Sequence, residues 1–228
     1  MDLKTYQKEA HSTACHGKGF VYPFCALAEE AGEVASVFGS YVAPIHADDG
    51  KYWHTVREKL QDELGDVMWD IAEIATLSQY NLDFIFDNHV EKNPGTLRPQ
   101  PALFRDVEGM EWVESALANR DIAALIHALP AAVGKLCGIF AKFIRKHDGC
   151  IPMPENEQPW LFAQENEDDV AEFYDDVFDW LGKILHLVYR IAQCADINFD
   201  TILIQNLAKL AARKKANTLG GKGSVERK

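Results

Sequence analysis

Apolar residues recur every three to four positions along most of the chain, which is the period of an amphipathic α-helix. The segments that share this period are about 3–14, 22–41, 53–79, 83–92, 108–119, 122–147, 168–195 and 200–216. No stretch alternates apolar and polar residues in the way that is typical of a β-strand. The pattern therefore predicts an all-α protein of eight helices.

Proline and glycine divide these helices into two sets. Three prolines and a glycine fall within residues 94–101, where they end the fourth helix and begin a linker. A second connection, over about 148–167, is longer than is usual in a compact domain. We therefore predict an N-terminal unit of residues 1–98, a linker with a short helix over 99–120, and a C-terminal unit of residues 121–228.

The second unit repeats the first one in sequence. Leu64-Gly65-Asp66-Val67-Met68 lines up with Leu181-Gly182-Lys183-Ile184-Leu185, and without a gap Asn81-Leu82-Asp83 then meets Asn198-Phe199-Asp200. Self-similarity at a fixed separation is the signature of a duplicated unit. We therefore expect two tandem four-helix units that pack together as an internal pseudo-dimer.

Two acidic steps in the first unit carry the main chemical signal. Glu30-Ala31-Gly32-Glu33 and Glu63-Leu64-Gly65-Asp66 each place two carboxylates three residues apart, and thus on one face of a helix. Four carboxylates between two helices repel each other unless a cation lies among them, and carboxylate oxygen is the ligand that Mg²⁺ and Mn²⁺ prefer. The alternative is a solvent-exposed acidic face, the usual location of such residues. The small Gly32 and Gly65 permit close helix approach and favour the metal site.

The second unit has lost these acids. The positions that correspond to Glu30, Glu33, Glu63 and Asp66 hold Ala132, Lys135, Trp180 and Lys183. A lysine repels a cation, so we expect only the first unit to bind metal.

Composition narrows the range of functions. The 228 residues carry a formal net charge of -12, which argues against nucleic-acid binding by the surface as a whole, although residues 204–228 are basic. The five cysteines form no CxxC pair, which disfavours a disulfide framework or a zinc site. No apolar run reaches membrane-spanning length, and no signal peptide is evident. We therefore expect a soluble, cytoplasmic protein without membrane contact.

The pattern EExxE followed by ExxD resembles the all-α nucleoside triphosphate pyrophosphatases, the MazG-like and dimeric dUTPase-like superfamily. It occurs here as Glu29-Glu30-Ala31-Gly32-Glu33 and Glu63-Leu64-Gly65-Asp66. The continuation Val67-Met68-Trp69 and the C-terminal stretch Asn206–Arg213 also resemble that superfamily. The resemblance is good over residues 1–98 and recurs more weakly over 120–224.

This resemblance implies an activity and a set of site residues. Family members use Mg²⁺ to convert a (d)NTP to the monophosphate and pyrophosphate, and dUTP or a non-standard nucleotide is among the expected substrates. The implied ligands of Mg²⁺, or of Mn²⁺, are Glu30, Glu33, Glu63 and Asp66. Either Glu33 or Glu30 is expected to take the proton from the attacking water, with Glu29 as an outer-shell alternative.

Family members assemble their sites from several copies of a four-helix unit, so we expect the second unit to supply phosphate contacts. The candidates, which share a positive charge, are Lys142, Arg145, Lys209 and Arg213. For the first two, a solvated face is an equal alternative. Trp69 and Asn88 are candidates for contacts with base or sugar, although aromatic residues at helical spacing are more often core. For Asp70 and Glu73 we favour a surface location.

Other classes of protein stay open at this point. One is a non-catalytic nucleotide-binding or regulatory protein that keeps the helical scaffold. Another is an all-helical interaction module whose acids lie on the surface. The sequence leaves the base and the sugar of the substrate open, and it is consistent with either a monomeric pseudo-dimer or a homodimer.

Overall fold

A computed structural model describes residues 1–16, 19–42, 50–92, 111–147, 168–216 and 218 of the chain. The helices in these ranges are α1 (Leu3–His11), α2 (Val21–Val42), α3 (Gly50–Leu77), α4 (Leu82–Lys92), α5 (Glu111–Lys146), α6 (Asp168–Cys194) and α7 (Phe199–Lys215). The described ranges contain no strand. The prediction of an all-α fold is therefore confirmed.

The predicted break between residues 119 and 122 does not exist, because α5 runs without interruption from Glu111 to Lys146. Asn119-Arg120-Asp121 contains neither glycine nor proline, so nothing in this backbone ends a helix. Even Pro130, which lacks a backbone donor, lies inside α5. The separate short helix over 108–119 was therefore a wrong prediction.

Several predicted connections lie outside the described residues. They are the linker over 93–110, the connection over 148–167 and the basic tail after residue 218. The division of the chain at residues 98 and 120 thus stays a prediction.

One hydrophobic core is built from both halves of the chain. Helix α2 packs against α3 and α5 against α6, and the two pairs meet where α2 contacts α5 and α3 contacts α6. Phe24 of α2 stacks on Phe140 of α5, and Phe143 of α5 stacks on Phe173 of α6, each at a centroid distance of 4.1 Å. The shared core holds α3 between the two halves, in contact with α6 and α7 as well as α2.

One helical stretch is long and apolar enough to cross a membrane by length and composition alone. It covers Ile122–Lys146 of α5, so the expectation that no segment reaches this length was wrong. In the fold, 33% of its most apolar window is buried. Because α5 packs on α2 with one face and on α6 with another, it needs apolar residues around much of its circumference. This packing accounts for the apolar residues that are buried.

Helices α3 and α6 end in the same backbone turn. Gln79 and Asp196 have left-handed φ values of 58° and 55°, and they are the only non-glycine residues with positive φ among those described. After each, the next N–H donates back to the helix at 2.8 Å, from Tyr80 to the carbonyl of Ala75 and from Ile197 to that of Ala192. An asparagine then begins the next helix in both places, Asn81 before α4 and Asn198 before α7. The local structure thus follows the sequence alignment of the two units.

Close contacts between the halves occur at two glycines that the alignment makes equivalent. A Cβ on Gly65 of α3 would lie 3.1 Å from Cβ of Asn206 in α7, and a Cβ on Gly182 of α6 would lie 3.0 Å from Cβ of His89 in α4. Thus α7, the last helix of the second unit, packs closely on α3 of the first, and α4, the last helix of the first unit, packs closely on α6 of the second. Reciprocal contacts of this kind are typical of an interface with two-fold symmetry, and they are compatible with a pseudo-dimer.

Candidate active site

Helices α2 and α3 run antiparallel and bring three acids of the two motifs together. Glu30 and Glu33 of α2 and Glu63 of α3 each offer one carboxylate oxygen, and these oxygens all lie within 4.8 Å of one another. The antiparallel arrangement matches Glu33 with Glu63 near one end of the pair, while Tyr22 of α2 meets Trp69 of α3 further along. The three-residue spacing on α2 places both of its acids on the face toward α3.

The charge state of this cluster shows that it fits a cation. Burial, followed by the charges of Asp66, Glu33 and Glu63, raises the pKa of Glu30 to about 8. Burial and the neighbouring Glu33 raise the pKa of Glu63 to about 7. Within the described structure, Oε2 of Glu30 is buried without a hydrogen-bond partner. Carboxylate oxygens that repel each other at this range are suited to a divalent ion such as Mg²⁺ or Mn²⁺.

The fourth acid of the motifs has protein partners instead. Oδ2 of Asp66 accepts a hydrogen bond from Nζ of Lys209 at 2.7 Å, and Oδ1 accepts one from Nδ2 of Asn206 at 3.1 Å. Burial raises the pKa of Asp66, and the Lys209 ammonium opposes that rise. Asp66 is therefore not part of the three-oxygen cluster, and its role as a metal ligand stays a prediction.

A polar network from α7 supports Asp66, and sequence reasoning missed most of it. Nζ of Lys209 also donates to Asp62 at 2.6 Å, and the hydroxyl of Tyr6 donates to Oδ1 of Asn206 at 2.9 Å. Burial alone would lower the pKa of Lys209, but Asp66 and Asp62 raise it above its ordinary value. Asp62 and Asp66 are four residues apart on α3 and thus on one face of the helix, and this spacing is the sequence signal that could have identified the pair.

The acids open into a cavity of about 480 Å³. Its walls come from α2, α3, α7 and the segment that follows α1. Three of the predicted substrate contacts line it, namely Glu29, Trp69 and Arg213. The cavity therefore joins the acid cluster of the first unit to a basic residue of the second.

Three other predicted contacts are not brought to this cavity. Lys142 lines a separate groove between α5 and α6, and Arg145 is exposed on α5 and outside the cavity lining. Asn88 is half-buried on α4 and does not line the cavity either. The basic end of α5 lies beside the start of α6, where Lys146 pairs with Asp169, and this keeps it away from the acids of α3. The assignment of Lys142, Arg145 and Asn88 to the substrate site is therefore not supported.

The surface location that we favoured for Asp70 and Glu73 is wrong, since each is only 1% exposed. The carboxylate of Glu73 lies within ion-pair distance of two imidazoles, at 2.8 Å from Nδ1 of His11 and 3.3 Å from Nε2 of His16. Asp70 lines the cavity. Burial and then the charge of Glu30 raise the pKa of Asp70 well above its ordinary value. Both acids lie on the inner face of α3 because that helix is covered by α1 as well as α2.

Aromatic rings form the end of the cavity around Asp70. His16 stacks on Tyr22 at a centroid distance of 4.8 Å, and Trp69 meets both rings edge-on at 5.9 and 6.4 Å. Nε1 of Trp69 donates to Oγ1 of Thr13 at 3.0 Å, which fixes the indole. Trp69 thus belongs both to the wall of the cavity and to the packing beneath it.

The corresponding place in the second unit has a different structure. Nζ of Lys183 lies 4.0 Å above the ring of Trp180, in a cation–π contact. These are the residues that align with Asp66 and Glu63. Among the described residues, the only group of three potential metal ligands is the one in the first unit.

Comparison with known proteins agrees with the geometry of the first unit. Residues 24–95 match the family profile of the MazG nucleotide pyrophosphohydrolase domain. Neither curated proteins nor solved structures gave a match. The matched segment contains the whole three-acid cluster together with Asp66 and Asp70. Residues 24–95 of this chain are therefore similar to the MazG nucleotide pyrophosphohydrolase domain, and this match is consistent with the MazG-like all-α superfamily.

Proposed function

We propose that the protein is a Mg²⁺-dependent nucleoside triphosphate pyrophosphohydrolase, which converts a (d)NTP to the monophosphate and pyrophosphate. The observation that carries this proposal is the cluster of Glu30, Glu33 and Glu63 inside a MazG domain. Binding alone does not need three convergent carboxylates with raised pKa values. The same three acids line a cavity of about 480 Å³, which supports hydrolysis of a ligand bound there.

The three clustered carboxylates would hold the metal, with Asp66 as the predicted fourth ligand. A bound divalent ion supplies charge neutralisation for the phosphates and lowers the pKa of the attacking water. Glu33 or Glu30 takes the proton from that water, and Glu29 is the alternative from a position outside the ligand set. All three line the cavity, so each has access to a substrate in it.

We propose further that the site is composite, with phosphate contacts from the second unit. Lys209 and Arg213 are the basic residues of α7 that reach the acid face of α3. Arg213 lines the cavity, and Lys209 lies beside Asp66, so both charges would compensate a triphosphate once the carboxylates are engaged by metal. This arrangement makes the second unit, which has lost its own acids, a necessary part of the enzyme.

The reciprocal contacts at Gly65 and Gly182 support the interpretation of the chain as an internal pseudo-dimer. A second matched pair points the same way. Lys209 pairs with Asp62 across the halves, and the aligned Lys92 pairs with Asp179 at 3.4 Å. In this account one chain contains the equivalent of two family subunits, with one functional site.

The test is product analysis with a panel of (d)NTPs, dUTP included, in the presence of Mg²⁺. We expect monophosphate and pyrophosphate as the products of at least one substrate. Release of orthophosphate and a diphosphate would contradict the position of cleavage. Tight binding of nucleotides without any turnover would instead favour a non-catalytic regulatory protein.

A further inference from the structure

Asp70 is a buried acid that lines the cavity and has one oxygen without a hydrogen-bond partner among the described residues. Its exposure is 1%, and its Oδ1 has no partner among the described residues. The two nearby imidazoles, His11 and His16, contact Glu73, which lies one turn further along α3, and not Asp70. A buried acceptor without a donor is costly, and most such groups in proteins are satisfied by something. The position of Asp70 in the cavity wall indicates that a ligand supplies the donor.

The surroundings of this oxygen are suited to a flat ring. His16, Tyr22 and Trp69 line the cavity around it. Tyr22 keeps 53% of its surface exposed in spite of its contacts with the other two rings. Aromatic side chains stack on nucleobases of every kind, so these rings provide affinity for a base without selecting one.

The distance along α3 separates this aromatic end from Glu63, the cluster acid of that helix, whereas Glu30 of α2 is the cluster acid whose charge acts on Asp70. Asp70 follows Glu63 by seven residues, which corresponds to roughly 10 Å along a helix axis. A nucleotide with its phosphates at the acid cluster therefore places its base, rather than its phosphates, near Asp70. Arg213 also lines the cavity, so the end that would hold the phosphates carries a positively charged side chain as well as the acids.

The electrostatic potential around Asp70 favours one kind of base edge. The charged groups that act on it most strongly are all acidic, and two of them, Glu73 and Glu29, lie outside the proposed metal ligands, so a bound cation leaves their charge in place. Negative potential attracts an amino group, whose hydrogens carry positive charge, and repels carbonyl oxygens. Uracil and thymine flank their single ring N–H with two carbonyl oxygens, whereas cytosine, adenine and guanine carry an exocyclic amino group.

We propose that Asp70 reads the nucleobase of the substrate by accepting a hydrogen bond from its exocyclic amino group. The site then prefers nucleotides of cytosine, adenine or guanine over those of uracil or thymine. This inference rests on the proposed function, because it takes the cavity as the nucleotide site. It makes Asp70 a specificity-determining residue that is separate from the acids of the metal cluster.

The experiment measures binding of the reaction products, which requires no turnover. The dissociation constants of dCMP, dAMP, dGMP, dUMP and dTMP are measured by calorimetry with Mg²⁺ present, for the full chain and for Asp70→Asn. We expect the wild-type protein to bind the tightest amino-bearing monophosphate at least about tenfold more tightly than dUMP and dTMP, the scale of a buried acceptor that gains or lacks its donor. Asp70→Asn should reduce that ratio to about threefold or less, because an amide also donates to carbonyl oxygens.

Two outcomes would overturn the inference. One is a wild-type protein that binds dUMP or dTMP as tightly as the other monophosphates. The other is an Asp70→Asn variant that weakens all five equally or that loses affinity for Mg²⁺, since both would make Asp70 a metal ligand or a structural residue. The wild-type comparison decides the matter even where the variant does not fold. Base preference without any hydrolysis would contradict the proposed activity and leave the assignment of Asp70 intact.

A matched variant separates stacking from base reading. Tyr22 is exposed, so Tyr22→Leu is compatible with folding. It should weaken all five monophosphates by a similar factor and leave the ratio between amino-bearing and carbonyl bases unchanged. A changed ratio in Tyr22→Leu would mean that the aromatic wall, and not Asp70, selects the base.

Discussion

The ammonium of Lys209, near the C-terminus, lies 2.7 Å from Oδ2 of Asp66 in the ExxD motif of the first half. The same ammonium lies 2.6 Å from Asp62. The positive charge is therefore held beside the acid cluster by two carboxylates from the other half of the chain. This ion pair is the most direct physical link between the two units at the candidate site.

Removal of this charge should impair substrate binding. In Lys209→Met, the triphosphate loses a cationic partner, and we expect KM to rise about tenfold or more, on the scale of one charge-assisted hydrogen bond. Steady-state kinetics at saturating Mg²⁺ measure this.

The repeat provides the control for that variant. Lys92 is the aligned residue and pairs with Asp179 at 3.4 Å, but both side chains are largely exposed and lie away from the cavity. Lys92→Met should leave KM unchanged. Equal effects of the two substitutions would contradict a composite site.

The metal-free protein should lose stability as pH rises. The pKa values of Glu30 and Glu63 are raised to about 8 and about 7 from an ordinary value of 4.5. Between pH 4.5 and 8 the folded chain therefore binds more protons than the unfolded chain, and the free energy of unfolding falls as pH rises. Thermal unfolding in chelator at pH 5 and pH 8 measures this fall.

Glu30→Gln should remove much of that pH dependence. A neutral side chain eliminates the repulsion, so we expect the metal-free variant to melt above the wild type at pH 8, by a few degrees for each kcal/mol gained. The gain should shrink toward pH 5, where the wild-type carboxyl is protonated in the fold. A variant that melts lower at pH 8 would contradict the account of the cluster.

Mg²⁺ should stabilise the wild-type protein through the same cluster. Ligand at one hundred times its dissociation constant contributes about 2.7 kcal/mol to the free energy of unfolding. We expect the melting temperature to rise with Mg²⁺ in the wild type and to stay constant in Glu63→Gln. The exposed Glu91 of α4 supplies the control, because Glu91→Gln should respond to Mg²⁺ like the wild type. A full response in Glu63→Gln would mean that the metal binds elsewhere.

The two interface glycines allow a further comparison. A methyl group at Gly65 or at Gly182 would lie 3.1 or 3.0 Å from the opposing side chain, so each alanine should destabilise the fold, by about 1–3 kcal/mol. Only Gly65→Ala should also reduce activity, because Asn206, the residue it displaces, holds Asp66. Chemical denaturation together with turnover rates separates the two effects, and an equal loss of turnover in Gly182→Ala would count against the asymmetry of the site.

Periodicity was sufficient to predict most of the helices and the two acidic motifs, because both depend on residue spacing within one helix. It failed at residues 119–122, where a polar triplet looked like a boundary but the backbone had no reason to stop. It also failed for Asp70 and Glu73, because their burial depends on α1, which covers α3 from a distance in sequence. Local pattern does not contain that information.

Partners across the two halves were the least predictable part of the site. Lys209 was singled out as a candidate phosphate contact, which stays a prediction, and its contacts with Asp62 and Asp66 depend on how α7 docks on α3. Lys142 and Arg145 had the same charge and a similar alignment argument, yet α5 directs them elsewhere. Charge in the sequence identifies candidates, whereas the packing of helices decides which of them meet.

The most direct test of the central claim is the rate of pyrophosphate release by Glu33→Gln, measured beside the wild type and Glu91→Gln with Mg²⁺ and the best (d)NTP. The account predicts that Glu33→Gln loses turnover by about 10²-fold or more, the scale of a lost acid–base or metal-holding group, while its melting temperature is kept or raised. Glu91→Gln should turn over like the wild type. Unchanged turnover in Glu33→Gln would contradict the assignment of the acid cluster as the catalytic centre.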